Sequence, residues 1–273
     1  MTRRRRRYRG EGEEATWVKI GVGIGFLVVL AVVIGVGWVY FSKKQAAASV
    51  DPQTFCPKDG PTSVTSVLID RTDGINQVQA EALRNFIVTW VHEVPEHGAF
   101  RVYEVAGGSR LPAPVLSVCN PGNVEDVNVF TGNERLTRQR YEAKFIGPVE
   151  QLIAGMLTDK AAETSPIMEA VQAMSIRDFG SGKVIEGKLI IVSDFMQHVA
   201  EFSLYKQPPD VSAFRRTVYG QKVESNLHGV STQVAILHST SSKQTSEVIQ
   251  FWLDWLLLQG AVTQPPAAPA TAP

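Results

Sequence analysis

Three residues able to do chemistry, Asp70, Asp194 and His238, each follow directly on a short apolar run: SVTSVLI, KLIIVS and QVAIL. Such runs, rich in β-branched residues, read as buried strands, which puts all three side chains at strand ends. Open parallel sheets bind ligands beyond those carboxyl ends. Where the strands before Asp70 and Asp194 adjoin, two carboxylates meet on one rim, with the hydroxyls of Thr72 and Thr164 close by. An all-oxygen set of this kind suits Mg²⁺ or Ca²⁺, hard cations that prefer oxygen ligands. A plainer role competes: Thr72, Asp73 and Ser165 can serve as helix caps, and a strand-end Asp can simply accept from loop amides.

Other chemistries fit less well. An Asp-x-Asp-x-Thr phosphatase loop at Asp70-Arg71-Thr72-Asp73 fails because the second Asp stands one position too late. Gly180-Ser181-Gly182-Lys183 is not a phosphate-binding loop, since Arg177 takes the first glycine's place and Val184 follows the lysine. There is no Gly-x-Ser-x-Gly elbow and no His-Glu-x-x-His. His92 and His97 flank a helix end, where a solvated or dipole-stabilised ring is the ordinary role. His198 and His228 show no partner in the sequence, and His238 is the one residue that would supply a general base on the rim.

The elements that must position these residues alternate. After the first strand, DGINQVQAEALRNFIVTWVHEV predicts a helix with Ile75, Val78, Ala82, Phe86, Trp90 and Val94 on its apolar face. AFRVYEVA and PVLSVCNPG predict strands, and RLTRQRYEAKFIGPVEQLIAGML a helix interrupted near Gly147-Pro148. SPIMEAVQAMSI predicts a helix with Ser165 as N-cap and Pro166 at its first position. VSAFRRTVYGQKVESNLHG predicts a further helix, and SEVIQFWLDWLLLQG the last one, with Gly260 near its C-cap. The last helix is too short and, with Asp254, too polar to span a membrane, so it belongs to the core. Strands alternating with helices imply a doubly wound, mainly parallel sheet in a three-layer α/β/α sandwich. The nearly all-apolar LIIVS and VAIL fit strands covered on both faces.

The element order, Asp-x-Thr after the first strand, Thr-Ser before a helix and Val-Ser-Asp at a later strand end together resemble a divergent bacterial von Willebrand factor type A domain over residues 62–260. The resemblance implies a metal-ion-dependent adhesion site, which falls on Asp70, Thr72, Thr164 (or Ser165) and Asp194. Gly74 stands where that family's first motif has its second hydroxyl, so one ligand is missing. It also implies that a partner's carboxylate completes the shell of a bound ion.

Residues 20–41, IGVGIGFLVVLAVVIGVGWVYF, carry no charge. As a helix they reach about 33 Å, enough for a hydrocarbon core of about 30 Å. Their Val, Ile, Leu and Phe side chains favour insertion by about 4–8 kcal/mol, and Trp17, Trp38 and Tyr40 mark both interfaces. Arg3–Arg7, Arg9 and Lys19 outweigh Lys43 and Lys44, which predicts a cytoplasmic N-terminus and an exported main domain. A signal peptide cleaved at Ala46-Ala47-Ala48 is the competing reading, against which the apolar run is too long. Gly21/Gly25 and Ala31/Gly35 give small-xxx-small spacing for self-association of the anchor.

Export would place Cys56 and Cys119 in an oxidising compartment, where such a pair bridges. Lys+Arg and Asp+Glu balance at 27 each, so no overall field draws the chain to nucleic acid. The predicted organisation is a basic cytoplasmic tail (1–19), a transmembrane helix (20–41), a linker (42–61), the α/β domain (62–260) and a disordered Pro/Ala-rich tail (261–273). The functional expectation is a non-enzymatic protein-binding or scaffold module, anchored in the inner membrane and facing the periplasm or exterior. An exported metal-dependent hydrolase, or a structural envelope subunit with a vestigial metal site, are the alternatives.

Overall fold

The computed structural model describes residues 27–38, 50–73, 76–105, 113–122, 133–156, 162–182, 184–206, 208, 210–237 and 243–266. The chain divides into two units, Met1–Val50 and Asp51–Pro273. In the first, residues 27–38 form helix α1, with every side chain exposed. The rest of the predicted 20–41 span, the basic tail, Gly21 and Gly25 lie outside the described residues. Among those described, no helix is long and apolar enough to cross a membrane.

The second unit is built on a six-stranded sheet in the order β3-β2-β1-β4-β5-β6. Its strands are β1 (Ser63–Asp70), β2 (Ala99–Val105), β3 (Leu116–Cys119), β4 (Glu186–Ser193), β5 (Ser231–Ile236) and β6 (Val262–Thr263). All pairs are parallel except β2–β3. The sheet is therefore mixed and mostly parallel, as predicted, with the order reversing between β1 and β4. Helices α2 (Gln77–His92), α3 (Glu134–Tyr141) and α4 (Gly147–Ala154) form one set. The other comprises α5 (Ile167–Met174), α6 (Val211–Arg215), α7 (Val218–Lys222) and α8 (Ser246–Leu258). Each set closes its own core against alternate residues of the strands. Val67, Ile69, Ile190 and Val192 meet the first set, and Leu68, Leu189 and Ile191 the second.

Several local expectations shift. The buried stripe of α2 is Ala80, Leu83, Ile87 and Val91, continued by Val94, whereas Val78 is 56% exposed. Compact aliphatic residues lie against the sheet, while Phe86 and Trp90 flank them, only partly buried and edge to face. Helices α3 and α4 are joined without a break by a π turn, Glu142–Ile146. Pro148 has no N–H to give a regular ladder, and the wider turn before it accommodates the ring. The single helix predicted after residue 210 is two short ones. The Thr217 hydroxyl accepts from Gly220 N at 2.9 Å and donates to Phe214 O at 2.7 Å, restarting the chain.

Domain edges move as well. Cys56 and Cys119 are bridged, with Cα atoms 4.9 Å apart, and Cys119 N donates to Thr54 O at 2.9 Å. The second half of the predicted linker is thus tied to β3. At the other end the sheet runs past residue 260. Gly260 takes a left-handed φ of 85°, and β6 pairs with β5 where a disordered tail was expected. Residues 267–273 lie outside the described residues.

Candidate functional site

Strands β1 and β4 are neighbours in register, Ile69 opposite Val192, so Asp70 and Ser193 are the next residues along the same ladder. The reversal of strand order falls between these two strands, where doubly wound sheets open a crevice. Asp70 sits in it, buried and fully bonded. Its Oδ1 accepts from Thr72 Oγ1 at 2.7 Å and Thr72 N at 3.0 Å. Its Oδ2 accepts from Ser193 Oγ at 2.7 Å and Ser165 Oγ at 3.2 Å. Burial raises the Asp70 carboxyl above its ordinary range, and the hydroxyls and amide oppose that rise.

Asp194 is also buried. Its Oδ1 accepts from Met196 N at 3.0 Å, while its Oδ2 is buried with no hydrogen-bond partner. Burial foremost, then the Asp70 charge, pushes this carboxyl upward, and Asp73 beside it adds to the rise. Two carboxyls can hydrogen-bond only through a shared proton, so Asp73 bonds Asp194 while one of the pair is protonated and offers it no donor once both are ionised. The next residue, Phe195, is buried in a left-handed conformation, φ 64°. That costs a bulky side chain on the order of 1–3 kcal/mol and persists only where surroundings hold it. Ser193 Oγ accepts from Phe195 N at 2.7 Å, and Phe195 O accepts from the Trp252 indole at 2.8 Å and from Gln197 N at 3.0 Å.

Three loops are stitched together here. Ala162 N donates to Thr72 O at 2.7 Å, and Ser165 and His198 exchange backbone bonds of 2.7 and 3.0 Å. From the far side, Gln244 Nε2 donates to Asp194 O at 3.1 Å and Leu237 O at 2.7 Å. Of the predicted residues, Asp70, Thr72 and Asp194 come together. The loop hydroxyl that reaches Asp70 belongs to Ser165; Thr164, half-buried, precedes it.

Neither Thr72 nor Ser165 is a helix cap. Asn76 caps α2 through a capping box with Gln79, and α5 begins at Ile167 with Pro166 as N-cap. Ser165 instead donates its hydroxyl to Asp70. His198, without a partner in the sequence, has one here: its Nδ1 lies 2.9 Å from Ser203 Oγ. Gly74 and His238 lie outside the described residues. Ser193 and Gln197 were not singled out, although a buried Ser before the strand-end Asp was visible in Val-Ser-Asp.

Chemically, the described residues of the rim offer hard oxygen donors. Among the described residues no group of three His, Cys, Asp or Glu side chains gathers to hold a metal. The donor set is instead two carboxylates with the hydroxyls of Thr72, Ser165 and Ser193. A buried carboxylate oxygen without a donor is the feature a cation would satisfy, so these residues fit Mg²⁺ or Ca²⁺.

No protein-family model matches the sequence, and no curated protein matches it. Among solved structures, the chain is similar to a von Willebrand factor type A protein from Catenulispora acidiphila. That likeness has 8% identity and a TM-score of 0.38, and covers 74% of this chain and 42% of that one. It is also similar to an aerotolerance-related membrane protein from Bacteroides fragilis, with 9% identity, a TM-score of 0.38 and coverage of 74% and 91%. The chain spans less than half the length of the first of these. The assignment of the fold rests on the strand order and register.

Proposed function

We propose that this chain is a membrane-anchored, extracytoplasmic protein-binding or scaffold module that uses a divalent cation at the sheet rim to engage its partner. The observation that carries the reading is the buried Asp194 Oδ2 atom, which no N–H or hydroxyl donor reaches and which stands beside the carboxyls of Asp70 and Asp73. Asp194, Thr72 and Ser165 would hold Mg²⁺ or Ca²⁺, with Asp70 orienting the two hydroxyls. The ion would supply a positive site for a carboxylate of the partner. No catalytic step is assigned to the rim.

Residues 20–41 support the anchor. They are uncharged, and the described part is a helix that is apolar all round with its side chains exposed, which a bilayer accommodates. The Cys56–Cys119 bridge supports an oxidising compartment, and the basic residues before position 20 support a cytoplasmic N-terminus.

A second reading, a scaffold that works without an ion, is favoured by one observation: four donors already satisfy Asp70. Calorimetry on the full chain in non-ionic detergent separates the two. The cation reading expects Mg²⁺ or Ca²⁺ to bind with Kd at or below about 1 mM, and binding to vanish in Asp194→Ala. Wild-type protein that takes up neither ion would leave the ion-free scaffold.

A further inference from the structure

Gln197 lies three residues beyond Asp194 and is fully buried. Its Oε1 accepts from Met168 N at 3.0 Å. Its Nε2 donates to Glu169 Oε2 at 3.0 Å and to the Tyr219 hydroxyl oxygen at 2.7 Å, and that hydroxyl donates to Glu169 Oε1 at 2.9 Å. Helix α5 depends on this outside acceptor. Pro166 at the N-cap offers no side-chain hydrogen bond, and the Ser165 hydroxyl donates to Asp70.

The side-chain type matters. A carboxamide can accept from a backbone N–H while donating twice, whereas a carboxylate would face Glu169 with no proton to give, and an aliphatic chain would leave Met168 N–H buried and orphaned. The Ser165–His198 backbone pair sets the two loops side by side, but two adjacent bonds act as a pivot. The contact from Gln197 to Met168, three residues past Ser165, is the third point, and it fixes rotation about that pivot.

We propose that Gln197 is the positioning residue of the rim: its amide fixes the Ser165 hydroxyl relative to Asp194, so that both serve one cation. This rests on the cation reading above. Gln197 itself touches no ion. Tyr219 and Glu169 hold the amide in the orientation that presents Oε1 to α5, so removing the Tyr219 hydroxyl weakens the same restraint.

The test uses Tb³⁺ as the probe on the full chain in detergent, with luminescence lifetimes in H₂O and D₂O counting the waters on the bound ion. Ser165→Ala is expected to add about one coordinated water, the place of the lost hydroxyl. Gln197→Leu is expected to add the same water and weaken binding roughly tenfold, the usual loss on removing an outer-shell support. Tyr219→Phe, which keeps the ring, should shift both readings in the same direction by a smaller amount, and decides the matter if Gln197→Leu fails to fold. A purely structural role would lower the melting temperature and leave the water count of the folded protein unchanged. Wild-type counts and affinities in both Gln197→Leu and Tyr219→Phe, beside an added water in Ser165→Ala, overturn the proposal alone. Absence of Tb³⁺ binding by the wild type, or binding indifferent to Asp194→Ala, overturns the cation reading and this inference with it.

Discussion

Asp70 and Asp194 are neighbours of the same chemistry in different circumstances. Asp70 has four donors, and Asp194 has one donor on one oxygen and none on the other. Both carboxyls are raised above the ordinary value of 3.8, first by burial. A raised folded-state value means that the folded protein holds more protons than the unfolded chain above pH of about 4. The ion-free protein should therefore lose stability as pH rises from about 4 toward neutrality, and Asp194→Asn should flatten that slope. Melting curves at several pH values in chelator check this; a slope of opposite sign, or one unchanged in the variant, contradicts it. Ser193→Ala should cost about 1–3 kcal/mol in chemical denaturation, because one hydroxyl serves both Asp70 and the strained Phe195 amide. The strand-end carboxylates were legible in the sequence because an apolar run followed by Asp fixes their position. Which of two adjacent hydroxyls, Thr164 or Ser165, reaches Asp70 was not, since that depends on how the loop pairs with His198 beyond β4. Gln197 was invisible for a related reason: its partners lie 22 to 29 residues away along the chain.

At the scale of elements, β1, β2, β4, β5, α2 and α8 were legible from apolar runs and spacing, although the buried stripe of α2 is Ala80, Leu83, Ile87 and Val91. The elements that escaped are those ended by single side-chain bonds or set by neighbours, such as the α6–α7 restart at Thr217 and the two residues of β6. Strand β6 stops for a chemical reason. Val262 N donates to Val230 O and Gln264 N to Thr232 O, so the next ladder donor would be residue 266, a proline. Val234 O instead receives the Gln233 side-chain amide at 3.2 Å, which also donates to Pro265 O at 2.7 Å. Replacing Pro265 and Pro266 together by Val should lengthen the edge strand and promote self-association, visible as a mass increase in light scattering. An unchanged mass and unchanged amide protection would sink that account.

The π turn Ser175–Phe179 is held differently. Asp178 is buried and accepts from Ser66, Arg101 and Tyr103 (the last at 2.9 Å), fastening this turn to β1 and β2. Asp178→Ala removes the partner of Arg101, itself partly exposed, and should cost roughly 2–3 kcal/mol, below the range for a wholly buried pair. A loss under 1 kcal/mol in urea would show that the turn is fastened by packing alone.

For the whole molecule, Lys+Arg and Asp+Glu balance at 27 each, and one disulfide joins Cys56 to Cys119. The bridge closes a separation of 63 residues, so reduction should lower stability by about 4 kcal/mol through the unfolded chain. Its effect should appear as a shift of the denaturation midpoint with dithiothreitol, and as the same shift in Cys56→Ser/Cys119→Ser. The central claim concerns the rim, and the measurement that meets it most directly is anomalous X-ray scattering from crystals of the protein soaked in Mn²⁺. The account predicts a peak within coordination distance of Asp194 Oδ2, shared with the Thr72 and Ser165 hydroxyls and absent from Asp194→Ala crystals. A rim without a peak, and with Asp194 Oδ2 bonded to a protein donor, would contradict it.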